Sequence, residues 1–117
     1  ARVYDHVEHR FQKGFTLLTL GWSDGYSFIP VGFNLLSSAK KSNRYNEISE
    51  NIDHRTNGYK FRKESMMSKT DAAVLLIQRA LQSGIKADYL LMDTWFTTEP
   101  MIRSVMDTGL DVIGMVK

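Results

Sequence analysis

The chain has 117 residues, with 15 Lys or Arg against 13 Asp or Glu, and a formal net charge of +2 that permits a polyanionic partner without requiring one. This length suits one domain, and a balance of 43% hydrophobic to 24% charged residues is typical of a folded protein rather than a disordered one. The absence of cysteine excludes disulfides and thiolate metal sites, and no run approaches the ~20 apolar residues that span a bilayer, so no membrane partner is expected.

Residues 1–11 show a helical spacing of apolar side chains. Val3, Val7 and Phe11 lie four residues apart, so an α-helix would place them on one face. We therefore expect the chain to open with the last turns of an amphipathic helix.

A β-hairpin is expected next. Phe15–Leu20 is an apolar run without polar alternation, which is typical of a strand buried on both faces. Ser23-Asp24-Gly25 predicts the turn, and Tyr26–Leu36 is the returning strand. Pro30 lacks a backbone donor, so this second strand is expected at a sheet edge or at a bulge.

Residues 37–67 interrupt the pattern with seven Lys or Arg, four Asp or Glu and little periodicity. We interpret the segment as an excursion from the core, of a length that is uncommon unless the loop is functional or disordered. Its basic residues are candidates for contacts with DNA phosphates, above all the dense cluster of Lys60, Arg62 and Lys63. A solvated surface loop is the alternative interpretation.

Helices and strands alternate from Ser68 onward. Ser68 and Asp71 have the spacing of a capping box at the start of a helix that Gly84 would end. The further expected elements are a strand at Tyr89–Met92, a helix capped by Thr98 and ended by Gly109, and a strand at Leu110–Val116. The side chains expected to face the core are Ala73, Leu76, Ile77, Ala80, Leu81, Met101, Ile102, Val105 and Met106. This order favours an α/β fold with parallel strands.

Asp93 is the strongest candidate for chemistry because it stands where an apolar strand ends. Functional groups of open α/β sheets gather at the carboxyl ends of strands, and a carboxylate there can bind a hard cation such as Mg²⁺. The simpler interpretation is that Asp93 initiates a turn. Trp95 is a candidate to stack on an unpaired base, although burial against the sheet is the commoner role of an aromatic ring.

Four segments resemble, in the same order, the catalytic core of bacterial insertion-sequence transposases. They are KGFTLLTLGWSDGYSFIPVGFNLL, DHRTNGYKFRKESM, YLLMDTWFTTEPMI and GLDVIGMVK. The resemblance covers nearly the whole chain, and a strand ending in Asp-Thr/Ser-Trp-Phe is fairly specific. It implies a ribonuclease H-like mixed sheet flanked by helices, of the Asp-Asp-Glu (DDE) superfamily, with residues 1–117 as the central part of one catalytic domain.

The same resemblance implies three acidic residues that bind two Mg²⁺ or Mn²⁺ ions and act on transposon ends and target DNA in the bacterial cytoplasm. Asp93 matches the second acid. The first is expected before Ala1 and the third, a Glu, after Lys117, so this stretch alone is expected to be inactive. Asp88 and Glu99 do not occupy the family's catalytic positions.

Two alternatives stay open: a non-catalytic ribonuclease H-like domain that binds DNA or another chain, and another ribonuclease H-like nuclease. In the fold that the resemblance implies, the strand with the first acid lies between the hairpin and the Asp93 strand. Without that strand, unpaired edges would favour self-association.

Overall fold

The computed structural model describes residues 1–116, which form a mixed α/β structure of six strands, three α-helices and a 3-10 turn at Lys41–Asn43. In chain order these are β1 (Arg2–Asp5), β2 (Arg10–Lys13), β3 (Thr16–Ser23), β4 (Phe28–Leu36), α1 (Asn57–Glu64), α2 (Lys69–Gln82), β5 (Tyr89–Met92), α3 (Glu99–Met106) and β6 (Asp111–Gly114). Within this described part, no helix is long and apolar enough to cross a bilayer.

The strands pair two by two, as β1–β2, β3–β4 and β5–β6. The chain divides into two compact units. Unit 1 comprises Ala1–Thr19 and Phe33–Ala72, and unit 2 comprises Leu20–Gly32 and the residues from Ala73 onward. An α/β composition is therefore confirmed, whereas one continuous ribonuclease H-like sheet stays a proposal.

The N-terminal segment is a β-hairpin, so the predicted helix over residues 1–11 is wrong. Tyr4 in β1 pairs with Phe11 in β2, and their ring centroids lie 5.3 Å apart, edge to face. The carboxylate of Asp5 holds the turn by accepting the backbone N–H of Val7 at 2.8 Å, and Val7 itself is 85% exposed. Cross-strand aromatic pairing and a turn-forming Asp outweigh a helical spacing that rests on only three residues.

The predicted hairpin β3–β4 is confirmed. Oδ1 of Asp24 accepts the backbone N–H groups of Tyr26 and Ser27 at 2.9 and 2.7 Å. Pro30 lies in β4, which among the described residues pairs only with β3 and is therefore an edge strand, as expected. The expectation that the first strand is buried on both faces is wrong, because burial alternates along β3 and Leu17 is 62% exposed.

The segment at 37–67 contains more regular structure than predicted. Helix α1 begins after Thr56, whose hydroxyl accepts the backbone N–H of Tyr59 at 3.2 Å. The backbone N–H of Ser37 donates to the carbonyl of Ser65 at 2.7 Å, so the two ends of the segment meet. The helix escaped prediction because it is only eight residues long and mostly polar, which leaves little apolar periodicity to detect.

Helix α2 begins and ends as predicted. The hydroxyl of Ser68 accepts the backbone N–H of Asp71 at 3.1 Å, which is the N-cap half of a capping box, and it donates to Asp71 Oδ2 at 2.7 Å. At the other end Gly84 adopts a φ of +95°, and the N–H of Ile85 donates to the carbonyl of Ala80 at 3.1 Å. A residue with left-handed backbone at this position satisfies the last carbonyls of the helix, which is why glycine suits it.

Strand β5, helix α3 and strand β6 form the predicted parallel β-α-β unit. Leu90 of β5 lies opposite Val112 of β6 in register. The buried core cluster beneath them consists of Ile77, Met101, Val105 and Leu110. The prediction that Met106 faces inward is wrong, since 56% of it is exposed. Helix α3 buries only a narrow stripe of two residues four apart, and the position after Val105 falls outside that stripe.

Candidate active-site edge

Asp93 lies at the carboxyl edge of the parallel pair β5–β6. It directly follows β5, which is extended as predicted, and its side chain is exposed. This is the edge of a parallel sheet at which ligands of α/β proteins are bound.

The Asp93 side chain also shapes the turn that follows. Oδ1 accepts the backbone N–H groups of Trp95 and Phe96 at 3.0 and 3.3 Å. The backbone carbonyl of Asp93 accepts the hydroxyl of Thr97 at 2.7 Å. No described residue donates a hydrogen bond to Oδ2, so one carboxylate oxygen serves the turn and the other stays open to solvent.

Three aspartates in the described part of the chain make this same side-chain turn, so local geometry does not single out Asp93. Asp5 accepts N–H groups two and three residues ahead, and its second oxygen accepts the Gln12 side chain at 2.8 Å. Asp24 does the same at the β3–β4 turn, where the N–H of Ser27 lowers the pKa of its carboxyl. Only Asp93 combines this turn with the carboxyl edge of parallel strands.

The turn at 93–97 is seated on the sheet by close packing. A Cβ at Gly114 in β6 would lie 2.6 Å from Oγ1 of Thr97, so a larger residue at that position would displace the turn. Phe96 packs against the buried core cluster of unit 2. The position of Asp93 is therefore fixed by the packing of Thr97 and Phe96 as well as by hydrogen bonds.

The neighbouring rings of Trp95 and Phe96 differ in their exposure. Phe96 is partly buried against the core, whereas Trp95 is 54% exposed. Their rings meet edge to face, with centroids 4.7 Å apart. Trp95 consequently presents an aromatic surface within two residues of Asp93.

The described residues do not complete a metal site. No group of three or more His, Cys, Asp or Glu within residues 1–116 is arranged to hold a metal ion. Glu99 forms an exposed ion pair with Arg103, at 2.6 Å, and Asp88 stands at the opposite end of β5 from Asp93. Mg²⁺ requires octahedral oxygen coordination, to which Asp93 contributes a single carboxylate, so no reaction step follows from this chain's residues alone.

The three basic residues predicted to contact DNA lie together on α1, in unit 1. Lys60, Arg62 and Lys63 are all exposed. Lys60 and Lys63 are three apart and share one side of the helix, while Arg62 Nη1 donates to the carbonyl of Gly58 at 3.0 Å.

Two other basic residues of the segment at 37–67 have structural roles. Arg44 is only 11% exposed; its Nε donates to Glu47 at 3.0 Å and its Nη1 to the carbonyl of Ser38 at 2.8 Å. Arg55 pairs with Asp53 at 3.0 Å. The bond from Arg44 lowers the pKa of the Glu47 carboxyl, and the bond from Arg55 lowers that of Asp53.

A polar cavity of about 290 Å³ in unit 1 was not anticipated from the sequence. Its basic lining residues are Arg2, His6 and Lys69. No local motif joins them, because they lie up to 67 positions apart and only the tertiary structure assembles them.

The comparison with known families gives a match over the whole chain. A family model described as DDE superfamily endonuclease matches residues 1–117. No curated protein and no solved structure matches the chain. The match extends over the whole sequence, including the strand, turn and helix that surround Asp93. The chain therefore belongs to the DDE superfamily of endonucleases.

Proposed function

We propose that the chain is the central part of the ribonuclease H-like catalytic domain of a bacterial insertion-sequence transposase, with Asp93 as the second of its three catalytic acids. The observation that carries the proposal is the exposed Asp93 carboxylate at the carboxyl edge of β5–β6, in a chain of the DDE endonuclease family. The parent protein would cleave DNA and transfer strands in the bacterial cytoplasm.

The exposed faces of the strands support a larger sheet flanked by helices on both sides. Tyr89, Leu91 and Ile113 are 56%, 74% and 52% exposed on the face of β5–β6 that points away from the core. Parallel strands are normally buried on both faces. An apolar face on a parallel pair is what the ribonuclease H-like arrangement would cover with a further layer.

In the proposed site, Asp93 is a metal ligand. Its Oδ1 is oriented by two backbone N–H groups, which leaves Oδ2 available for a divalent ion, Mg²⁺ or Mn²⁺. The other acids would come from outside the described residues. In DDE enzymes two such ions stabilise the attacking and the leaving oxygen of the phosphodiester.

The decisive experiment compares two Asp→Asn substitutions in the complete protein. Asp93→Asn removes the charge and keeps Oδ1 as the acceptor of the turn, so folding and DNA binding should be retained. We expect cleavage and strand transfer to fall at least about 100-fold, because a metal ion supplies several kcal/mol to the transition state.

Asp24→Asn is the matched control, since Asp24 makes the same turn with the same side-chain oxygen. This variant should cleave like the wild type. Cleavage by Asp93→Asn at the wild-type rate would refute the assignment. If the wild-type protein cleaved DNA without joining 3′ ends to target DNA, another nuclease would be favoured. If the wild-type protein bound DNA without cleaving it, a non-catalytic domain would be favoured.

We also propose that Lys60, Arg62 and Lys63 contact DNA phosphates and that Trp95 contacts a base near the cleaved bond. The exposure of these side chains supports the proposed contacts. All three basic residues of α1 are exposed, and Trp95 is 54% exposed beside Asp93. Arg62→Ala should weaken binding to every DNA sequence and reduce the slope of log affinity against log salt by about 0.9. Arg103→Ala is the control. Equal salt slopes for the two variants would mean that Arg62 is a solvated surface residue without a phosphate contact.

A further inference from the structure

The polar cavity of unit 1 lies outside the Asp93 edge and has the lining of an anion site. It opens among the β1–β2 hairpin, the chain after β4 and the first residue of α2. The lining groups that matter chemically are Arg2, Tyr4, His6, Ser37, Ser38 and Lys69. Its volume of about 290 Å³ is ample for a phosphate group.

The charged side chains that line the cavity are all basic. Arg2 and Lys69 are cationic, and no Asp or Glu lines the cavity. The nearest carboxylates along the chain serve their own turns: Asp5 accepts the side chain of Gln12, and Asp71 accepts the hydroxyl of Ser68. Lys69 already has an interaction partner in the chain, so the positive charge that an anion would meet in the cavity is mainly that of Arg2.

Aromatic contacts orient the two donors contributed by the hairpin. The guanidinium carbon of Arg2 lies 5.1 Å from the ring centroid of Phe11. The His6 ring meets the Tyr4 ring edge to face, with centroids 5.1 Å apart. Because Tyr4 in turn packs against Phe11, the rings of these two residues hold Arg2 and His6 on one side of the hairpin. Such pre-ordering reduces the entropy lost when a ligand binds.

Neutral donors complete the site. The hydroxyl of Ser38 accepts the backbone N–H of Lys40 at 3.1 Å, so its own proton is free to be donated. Lys69 is the first residue of the 14-residue helix α2, whose amino end adds a favourable field for an anion. Lys69 also has another interaction partner in the chain, so the site rests mainly on Arg2.

We infer that this cavity binds a phosphate group of the DNA backbone, at a position separate from the cleavage site. That the cavity binds an anion is argued from its lining alone, and only the identification of the anion as DNA rests on the proposed function. A guanidinium recognises phosphate with two parallel hydrogen bonds, which is the geometry that an oriented Arg2 offers. The site holds the DNA without reading its sequence, because phosphate contacts carry no base information.

The test measures binding of the complete protein to a fluorescent duplex in EDTA, so that metal-dependent cleavage plays no part. Arg2→Ala should weaken binding about tenfold for any DNA sequence and reduce the salt slope by about 0.9. Arg2→Lys should keep the slope and lose part of the affinity. Arg10→Ala is the matched control, because Arg10 is on the same hairpin, carries the same charge and does not line the cavity.

Each outcome decides the inference. Equal effects of Arg2→Ala and Arg10→Ala would overturn it while leaving the proposed function intact, since wild-type DNA binding would persist. Binding of inorganic phosphate that Arg2→Ala abolishes, with DNA affinity unchanged, would also overturn it and identify a free-phosphate site. Should Arg2→Ala fail to fold, as judged by circular dichroism, Arg2→Gln with unaltered binding would overturn it.

Discussion

The two units hold their candidate residues by different physical means. In unit 2, the turn that begins at Asp93 rests on Phe96, which packs against a buried apolar cluster. In unit 1, the basic segment at 37–67 depends on polar contacts, among them the ion pairs Arg44–Glu47 and Arg55–Asp53. The carboxylate edge is thus positioned by burial and the basic segment by charge.

This difference suits the roles proposed for the two regions, a metal ligand at Asp93 and phosphate contacts in the basic segment. A metal ligand must be held within a fraction of an ångström, and close packing fixes a position more firmly than exposed ion pairs do. Phosphate contacts tolerate movement because the DNA backbone is a repeating charge. Apolar packing is also indifferent to salt, whereas exposed ion pairs are screened by it. Substitutions directed at one unit or the other therefore test whether packing and charge have these separate roles.

The largest effect is expected from Met101→Ala. Met101 is 4% exposed in the core cluster, so the substitution should lower the free energy of unfolding by about 2–5 kcal/mol. Urea denaturation provides the measurement. Met106→Ala is the control on the same helix, 56% exposed, and should change stability by no more than about 0.5 kcal/mol. Similar losses for both would mean that α3 is not packed as described.

Gly114→Ala should have the next largest effect, because the new methyl group would come within 2.6 Å of Thr97 Oγ1. Overpacking of this kind costs about 1–3 kcal/mol and should move the Asp93 turn, lowering cleavage more than DNA binding. The double variant Gly114→Ala/Thr97→Ala should recover part of both losses. Additive losses in that double variant would contradict the contact.

A smaller, pH-dependent effect is expected from Arg44→Ala. The Arg44 bond keeps the pKa of Glu47 below its ordinary value of 4.5. The stability that it adds is therefore present above pH 4.5 and is lost as the pH falls through the lowered pKa. NMR titration should find the Glu47 pKa raised toward 4.5 in Arg44→Ala, together with faster proteolysis of the segment at 37–67. The control Lys41→Ala should leave the rate of proteolysis nearly unchanged. If the Glu47 pKa were the same in Arg44→Ala as in the wild type, the Arg44–Glu47 ion pair would be contradicted.

The smallest effect is expected from Glu99→Gln. The pair Glu99–Arg103 is about three-quarters exposed on both sides, and such pairs contribute roughly 0.3–0.5 kcal/mol. Thermal unfolding and cleavage should both stay close to wild type. Loss of cleavage comparable to that of Asp93→Asn would show that Glu99 belongs to the catalytic acids after all.

Strong local signals in the sequence were sufficient for helix α2 and for much of unit 2. The N-cap at Ser68, the glycines that end α2 and α3, and the strand that stops at Asp93 were all predicted and are all present. Each depends on neighbours within a few residues, so the sequence pattern already contains the interaction. One failure is at Val7, where the turn-forming Asp5 and the pairing of Tyr4 with Phe11 override a helical spacing of only three residues.

By itself the sequence determined the family, the β-α-β unit and the placement of Asp93 after a strand, because these follow from short-range spacing and from residue types in order. Only the tertiary structure decided that Phe96 is partly buried and Trp95 exposed, and that Arg2, His6 and Lys69 share one cavity. The physical reason is that burial and charge clustering depend on which distant segments fold together. Asp5, Asp24 and Asp93 have the same local turn, and it is their position in the sheets that distinguishes them.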